Sequence, residues 1–122
     1  MTASSATESG LIFDTGLGQF DREVIENSHA HPVVVDFWAD WCPPCRALTP
    51  VLERVVAQYG GRIRLAKVEV DADDNMKLAG RYGLRGFPTV LLFVKGEIAG
   101  RFVSAHPDQW VRDFIDTHAG LD

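Results

Sequence analysis

Apolar positions along this chain switch between two spacings, and the switches divide it into elements. Residues 11–13, Leu-Ile-Phe, form a short apolar run that predicts a strand. Phe20, Val24 and Ile25 then recur at helical spacing through residues 19–28, and His31-Pro32 ends that helix. Residues 33–39 form a near-continuous apolar, β-branched and aromatic run, the pattern of a central strand covered on both faces; only Asp36 interrupts it. Through residues 42–59, Leu48, Val51, Leu52, Val55 and Val56 trace one helical face, with Gly60-Gly61 as the stop. Pro50 is expected to kink this helix, because proline removes a backbone donor and crowds the preceding turn. A strand follows at 63–70, a short helix at 75–82 and another strand at 89–94. Lys95-Gly96-Glu97 is a tight turn into a strand at 98–103, which predicts an antiparallel hairpin. Pro107 opens a terminal amphipathic helix carrying Trp110, Val111, Phe114 and Ile115.

The order β-α-β-α-β-α-β-β-α predicts an α/β fold: a central mixed β-sheet, parallel in its core with an antiparallel terminal hairpin, flanked by helices on both faces. A chain of 122 residues with 46% hydrophobic residues suffices for one core. Residues 11–122 are therefore expected to form one domain behind a disordered tail, residues 1–10. That tail lacks the basic start and apolar stretch of a secretory signal, and the longest apolar runs are strand-sized, against roughly 20 residues for a membrane-spanning helix. The expectation is a soluble, cytoplasmic monomer. The net charge of −5 is spread over interspersed acidic and basic residues, which leaves no basic stripe for nucleic acid and no polybasic membrane patch. Proteins or small molecules are the expected partners.

The chemistry-bearing feature is Trp41-Cys42-Pro43-Pro44-Cys45. In a reducing cytosol, two cysteines at this spacing point to redox chemistry or metal binding more than to a structural staple. Cys42 stands where a strand hands over to a helix, so its sulfur lies near unsatisfied amides and the positive end of the helix dipole. Both favour the thiolate, lowering the thiol pKa from about 8.5 toward 7. Cys42 is thus the expected nucleophile, and Cys45, one turn into the helix, the resolving thiol. A zinc site is the competing reading. Its remaining ligands would be histidines, but His29 and His31 precede a strand that sets them about 20 Å from Cys42, and His106 and His118 are singletons at the last helix. No metal or other cofactor is expected beyond the redox-active disulfide. A purely structural disulfide also remains open. Asp36, in the apolar strand that leads to the cysteines, is either a buried acid that relays a proton to or from Cys45 or a structural residue, exposed on an edge or paired with Lys67.

Taken together, residues 36–46 (Asp-Phe-Trp-Ala-Asp-Trp-Cys-Pro-Pro-Cys-Arg), Pro50, Lys67, Asp71, Gly86-Phe87-Pro88-Thr89, Phe93 and Gly96 resemble the thioredoxin family over roughly residues 11–119. The resemblance implies a protein-disulfide reductase with Cys42 attacking, Cys45 resolving, Asp36 as buried acid and Lys67 as its charged neighbour. It implies a cis Phe87-Pro88 bond facing the cysteines, and a client groove completed by Trp41, Pro43, Pro44, Gly86, Phe87, Pro88, Ser104 and Ala105. The implied partners are disulfide-containing client proteins and a flavoenzyme thioredoxin reductase.

Two positions depart from the family pattern. Thioredoxins usually carry glycine at position 43, and Cys-Pro-Pro-Cys is similar to the motif of tryparedoxins and nucleoredoxins. Two successive prolines remove two amide donors from the first helical turn and hold Cys42 extended. Ser104 stands where the family usually has glycine, and its side chain is expected to narrow the range of clients. Two further functions compete. The stretch from Ile12 through residues 47–50 (Ala-Leu-Thr-Pro), and later residues 83–85 (Gly-Leu-Arg), also resembles the N-terminal thioredoxin domain of bacterial proteins that continue into tetratricopeptide repeats, a docking module, although this sequence contains no such repeats. Thiol oxidation or isomerisation is the other, and it requires a higher potential and usually an oxidising compartment.

Overall fold

A computed structural model describes residues 11–121; the expected tail, residues 1–10, lies outside the described residues. The strands are β1 (Ile12–Asp14), β2 (Val33–Trp38), β3 (Arg64–Glu69), β4 (Thr89–Val94) and β5 (Glu97–Val103). The α-helices are α1 (Pro43–Ala57), α2 (Met76–Arg81) and α3 (Asp108–Ala119). One five-stranded sheet has the order β1-β3-β2-β4-β5, with β1, β3 and β2 mutually parallel and β4 antiparallel to both β2 and β5. The expected mixed sheet is present, and β2 lies at its centre.

Alternation along β2 builds the two layers. Val33, Val35 and Phe37 pack with Phe20 and Val24 and with Leu78 of α2. Val34 faces the other way, into a cluster with Leu48, Leu52 and Val55 of α1 and Val111, Phe114 and Ile115 of α3. Side chains on a strand alternate between faces, so a strand that is apolar at almost every position can only sit between two layers.

The predicted helix at 19–28 takes a different form. It is a π-helix over Asp21–Glu26 followed by a 3-10 turn over Asn27–His29. Apolar periodicity marks the face that Phe20 and Val24 bury, but the pitch follows from tertiary anchors at the far end. Ser28 supplies them: its hydroxyl donates to the Ile25 carbonyl at 2.6 Å and accepts from the Gly96 amide at 2.8 Å, and its own carbonyl accepts from Lys95. Lys95 and Gly96 both have positive φ, 53° and 86°, as a two-residue turn between strands of this twist requires. The expected hairpin is thereby tied to the opposite end of the chain. α1 runs through Pro50 as one element, its prolines at the first two helical positions tolerated because those amides have no intrahelical acceptor.

Asn75 joins two loops at the same end of the sheet. It is 5% exposed, accepts from the Leu17 amide and donates to the Glu69 carbonyl, both at 2.9 Å. Gly16 passes so close that an added Cβ would lie 2.5 Å from Asn75 Oδ1. Asn75→Ala strands one buried donor and one acceptor, and is expected to cost about 2 kcal/mol in urea denaturation. A loss below about 0.5 kcal/mol would show that water satisfies both groups.

Candidate active site

The two cysteines are positioned by the way β2 gives way to α1. After Trp38 the chain turns, with the Cys42 amide donating to the Ala39 carbonyl at 3.2 Å. Cys42 is extended (φ −103°, ψ 103°), the conformation a following proline enforces, and it caps α1. Pro43 and Pro44 have no amide hydrogen, so the first free donor of the helix is the Cys45 amide, which donates to Cys42 Sγ at 3.2 Å. The sulfurs are bonded to each other, with the α-carbons 5.3 Å apart. Cys42 is 3% exposed and Cys45 fully covered. In this pairing each sulfur is engaged by the other. His106 Nε2 and His118 Nδ1 instead bond the Val103 and Phe114 carbonyls, and among the described residues no cluster of three or more His, Cys, Asp or Glu could hold a metal.

Around the disulfide the fold assembles a rim from distant segments. Phe87-Pro88 is cis, and the Phe87 carbonyl oxygen lies 3.4 Å from Cys42 Sγ. Trp41 is 63% exposed, packs edge-on against Phe87 at 6.2 Å between centroids, and donates from Nε1 to Asp71 Oδ2 at 2.6 Å. The Ser104 amide donates to the Pro88 carbonyl at 3.1 Å. Ser104 has φ +75°, a left-handed conformation that costs a non-glycine residue on the order of 1 kcal/mol. Gly86 accepts from the Thr89 hydroxyl through its carbonyl, and Pro43, Pro44, Gly86, Ser104 and Ala105 are exposed. Register explains the gathering: Phe37 pairs with Thr89 and Thr89 with Val103, so the start of β4 and the end of β5 lie beside the end of β2 from which Cys42 departs.

Asp36 is fully buried. Its Oδ2 accepts from the Thr49 hydroxyl at 2.6 Å, and its Oδ1 has no hydrogen-bond partner. Lys67 is its register neighbour on β3, as the family resemblance implies, but the alternative of a direct Asp36–Lys67 ion pair is not what forms: Lys67 Nζ bonds Glu53 Oε2 at 2.7 Å. Glu53, the more exposed partner, reaches from α1 to the lysine, where both charges keep more water than a contact with fully buried Asp36 would leave them. Burial raises the Asp36 pKa from 3.8 to about 6, against the lowering effects of the Thr49 hydrogen bond and the Lys67 charge; Glu53 adds a smaller push upward. For Lys67, burial opposes the charged form, but Glu53, with Asp14 and Asp36, outweighs it and raises the pKa. Thr49 and Glu53 stand outside the site residues expected from the sequence. Their signal was the i, i+4, i+8 series Cys45, Thr49, Glu53, which shares one side of α1.

A family model described as Thioredoxin matches residues 13–117. The chain is 38% identical over 112 residues to "Thioredoxin" of Chlorobaculum thiosulfatiphilum, covering 92% of this chain and 100% of that one. It is 38% identical over 99 residues to "Thioredoxin 1" of Synechococcus elongatus, covering 81% and 89%. With "Thioredoxin C-2" of Corynebacterium nephridii the identity is 37% over 108 residues, covering 88% and 96%.

A raised Asp36 pKa means that the fold favours the neutral carboxyl. The stability it contributes is fully present below about pH 4 and is lost as pH rises through about 6, by about 3 kcal/mol in all. Asp36→Asn, which cannot ionise, is expected to match the parent near pH 4 and exceed it by up to about 3 kcal/mol at pH 8, in urea denaturation of the oxidised protein. A stability difference independent of pH would rule out a shifted Asp36.

Proposed function

Since the chain belongs to the thioredoxin family and is a thiol-disulfide oxidoreductase with an active-site cysteine pair, we propose that it runs in the reducing direction, as a cytoplasmic carrier of electrons to client proteins. The observation that carries the exchange chemistry is the Cys42 sulfur held at the N-terminus of α1, with the Cys45 amide directed at it, and the reducing direction follows from the reducing compartment proposed for the chain. In the reduced protein the same donor and the helix dipole stabilise the Cys42 thiolate. That thiolate attacks one sulfur of a client disulfide, forming a Cys42–client mixed disulfide and expelling the other client sulfur as a thiolate. Cys45 loses its proton through a water to Asp36 Oδ1, attacks Cys42 Sγ, and releases the second client sulfur. The products are a client dithiol and the Cys42–Cys45 disulfide. A flavoenzyme thioredoxin reductase returns two electrons to that disulfide. With its pKa near 6, Asp36 is mostly ionised at neutral pH and can take the Cys45 proton.

Clients bind, in this reading, as an extended segment across Trp41, Pro43, Pro44, Gly86, Phe87, Pro88, Ser104 and Ala105, and Lys67 holds Glu53 beside the acid. The support is the exposed Trp41 ring, the Phe87 carbonyl at the Cys42 sulfur and the close approach of Ser104 to Pro88. The Ser104 side chain limits which clients fit.

Dithiothreitol-dependent insulin reduction is expected to vanish in Cys42→Ser, whereas Cys45→Ser should accumulate a mixed disulfide visible on a non-reducing gel. Equilibration with glutathione should place the couple nearer about −270 mV than about −120 mV. Full activity in Cys42→Ser would sink the assignment, and a potential at the upper value would reverse the direction of electron flow. Ser104→Gly is expected to gain about 1 kcal/mol of stability and to reduce a wider panel of disulfide proteins. An unchanged panel would remove Ser104 from client selection.

A further inference from the structure

We propose that Thr49 is a positioning residue for proton transfer: its hydroxyl occupies Asp36 Oδ2 and so leaves Oδ1 as the oxygen that exchanges the proton with Cys45. The proposal rests on the proton-transfer role given to Asp36 above and specifies which atom performs it.

Three observations converge. The Thr49 hydroxyl donates to Oδ2 at 2.6 Å, a short contact typical of a hydroxyl on a carboxylate. Oδ1 is buried and has no partner, a costly condition for a carboxylate oxygen unless a proton or a water is delivered there. Thr49 also follows Cys45 by one helical turn, so the residue that grips the carboxylate and the thiol to be deprotonated share one side of α1.

The charged groups around Asp36 leave this task to Thr49. On α1, Glu53 is bonded to Lys67, and on β3 Lys67 is turned to Glu53. On β4 the residue opposite Asp36 is Val90, which is apolar. Among these neighbours the Thr49 hydroxyl is therefore the hydrogen-bond donor to the carboxylate, and rotation of the carboxyl group would break that bond. In this geometry Thr49 sets both the orientation of the acid and the pH at which it becomes a base.

The test compares Thr49→Val, which keeps the shape and removes the donor, with Thr49→Ser, which keeps the donor. The Asp36 carboxyl is titrated by 13C NMR in the oxidised protein, and insulin reduction is measured from pH 6 to 9. In Thr49→Val the Asp36 midpoint is expected to rise by about one pH unit, because a donor to the charged form is lost. Insulin reduction should then fall about fivefold at pH 6 and be unchanged at pH 9, the change in ionised fraction that a one-unit shift produces. Thr49→Ser should restore both. An unmoved midpoint in Thr49→Val, or a rate loss equal at every pH, overturns the proposal. The titration needs no turnover, so it decides the role of Thr49 even if the parent protein fails to reduce insulin, which would count against the proposed function alone.

Discussion

Two prolines at the start of α1 leave the Cys45 amide as the first free donor of the helix, and that donor meets the Cys42 sulfur. Much of the site follows from this constraint. Pro43 forces Cys42 into extended backbone, which carries the chain out of β2 and turns its side chain back over the helix end. The sulfur thereby replaces the hydroxyl or carboxylate that usually caps a helix, and it does so where the dipole favours negative charge. Cys45, one turn in, is covered by the core that Ala39, Val68 and Val70 complete. The unequal environments of the two sulfurs arise from backbone geometry before any client arrives.

Asp36 shows the opposite balance. A carboxylate inside the central strand works against folding near neutral pH, and the structure relieves it only in part, with one hydroxyl on one oxygen. Lys67 could relieve it further but is held by Glu53 at the partly exposed end of the pair. A full ion pair would hold Asp36 ionised and weaken it as a base; no partner at all would keep it neutral through the physiological range. The intermediate arrangement leaves an acid that changes charge near pH 6. Stability is given up at the position where proton transfer is proposed, a common pairing of strain and function.

The hydrophobic pattern made most of the fold legible. Near-continuous apolar character at 33–39 marked the central strand, and helical spacing at Leu48, Leu52 and Val55 marked the face of α1 that packs on it. Lys95-Gly96 marked the hairpin, since a tight turn with positive φ has few sequence solutions. The pitch of the segment after Phe20 was not legible, because Ser28 sets its end through contacts with a turn nearly 70 positions away. Nor was the antiparallel placement of β4 against β2, which depends on how all the layers close.

For the site, the sequence by itself determined the cysteine pair, the helix start that polarises Cys42 and the presence of an acid in an apolar strand. These are local properties, carried by neighbouring residues and by one-dimensional spacing. Only the tertiary structure decided that Lys67 turns to Glu53, that Thr49 grips one oxygen of Asp36, and that Trp41, Phe87 and Ser104 meet around the disulfide. Such contacts depend on strand register and on which side of α1 faces the sheet. The chain specifies them only when all of its layers pack at once.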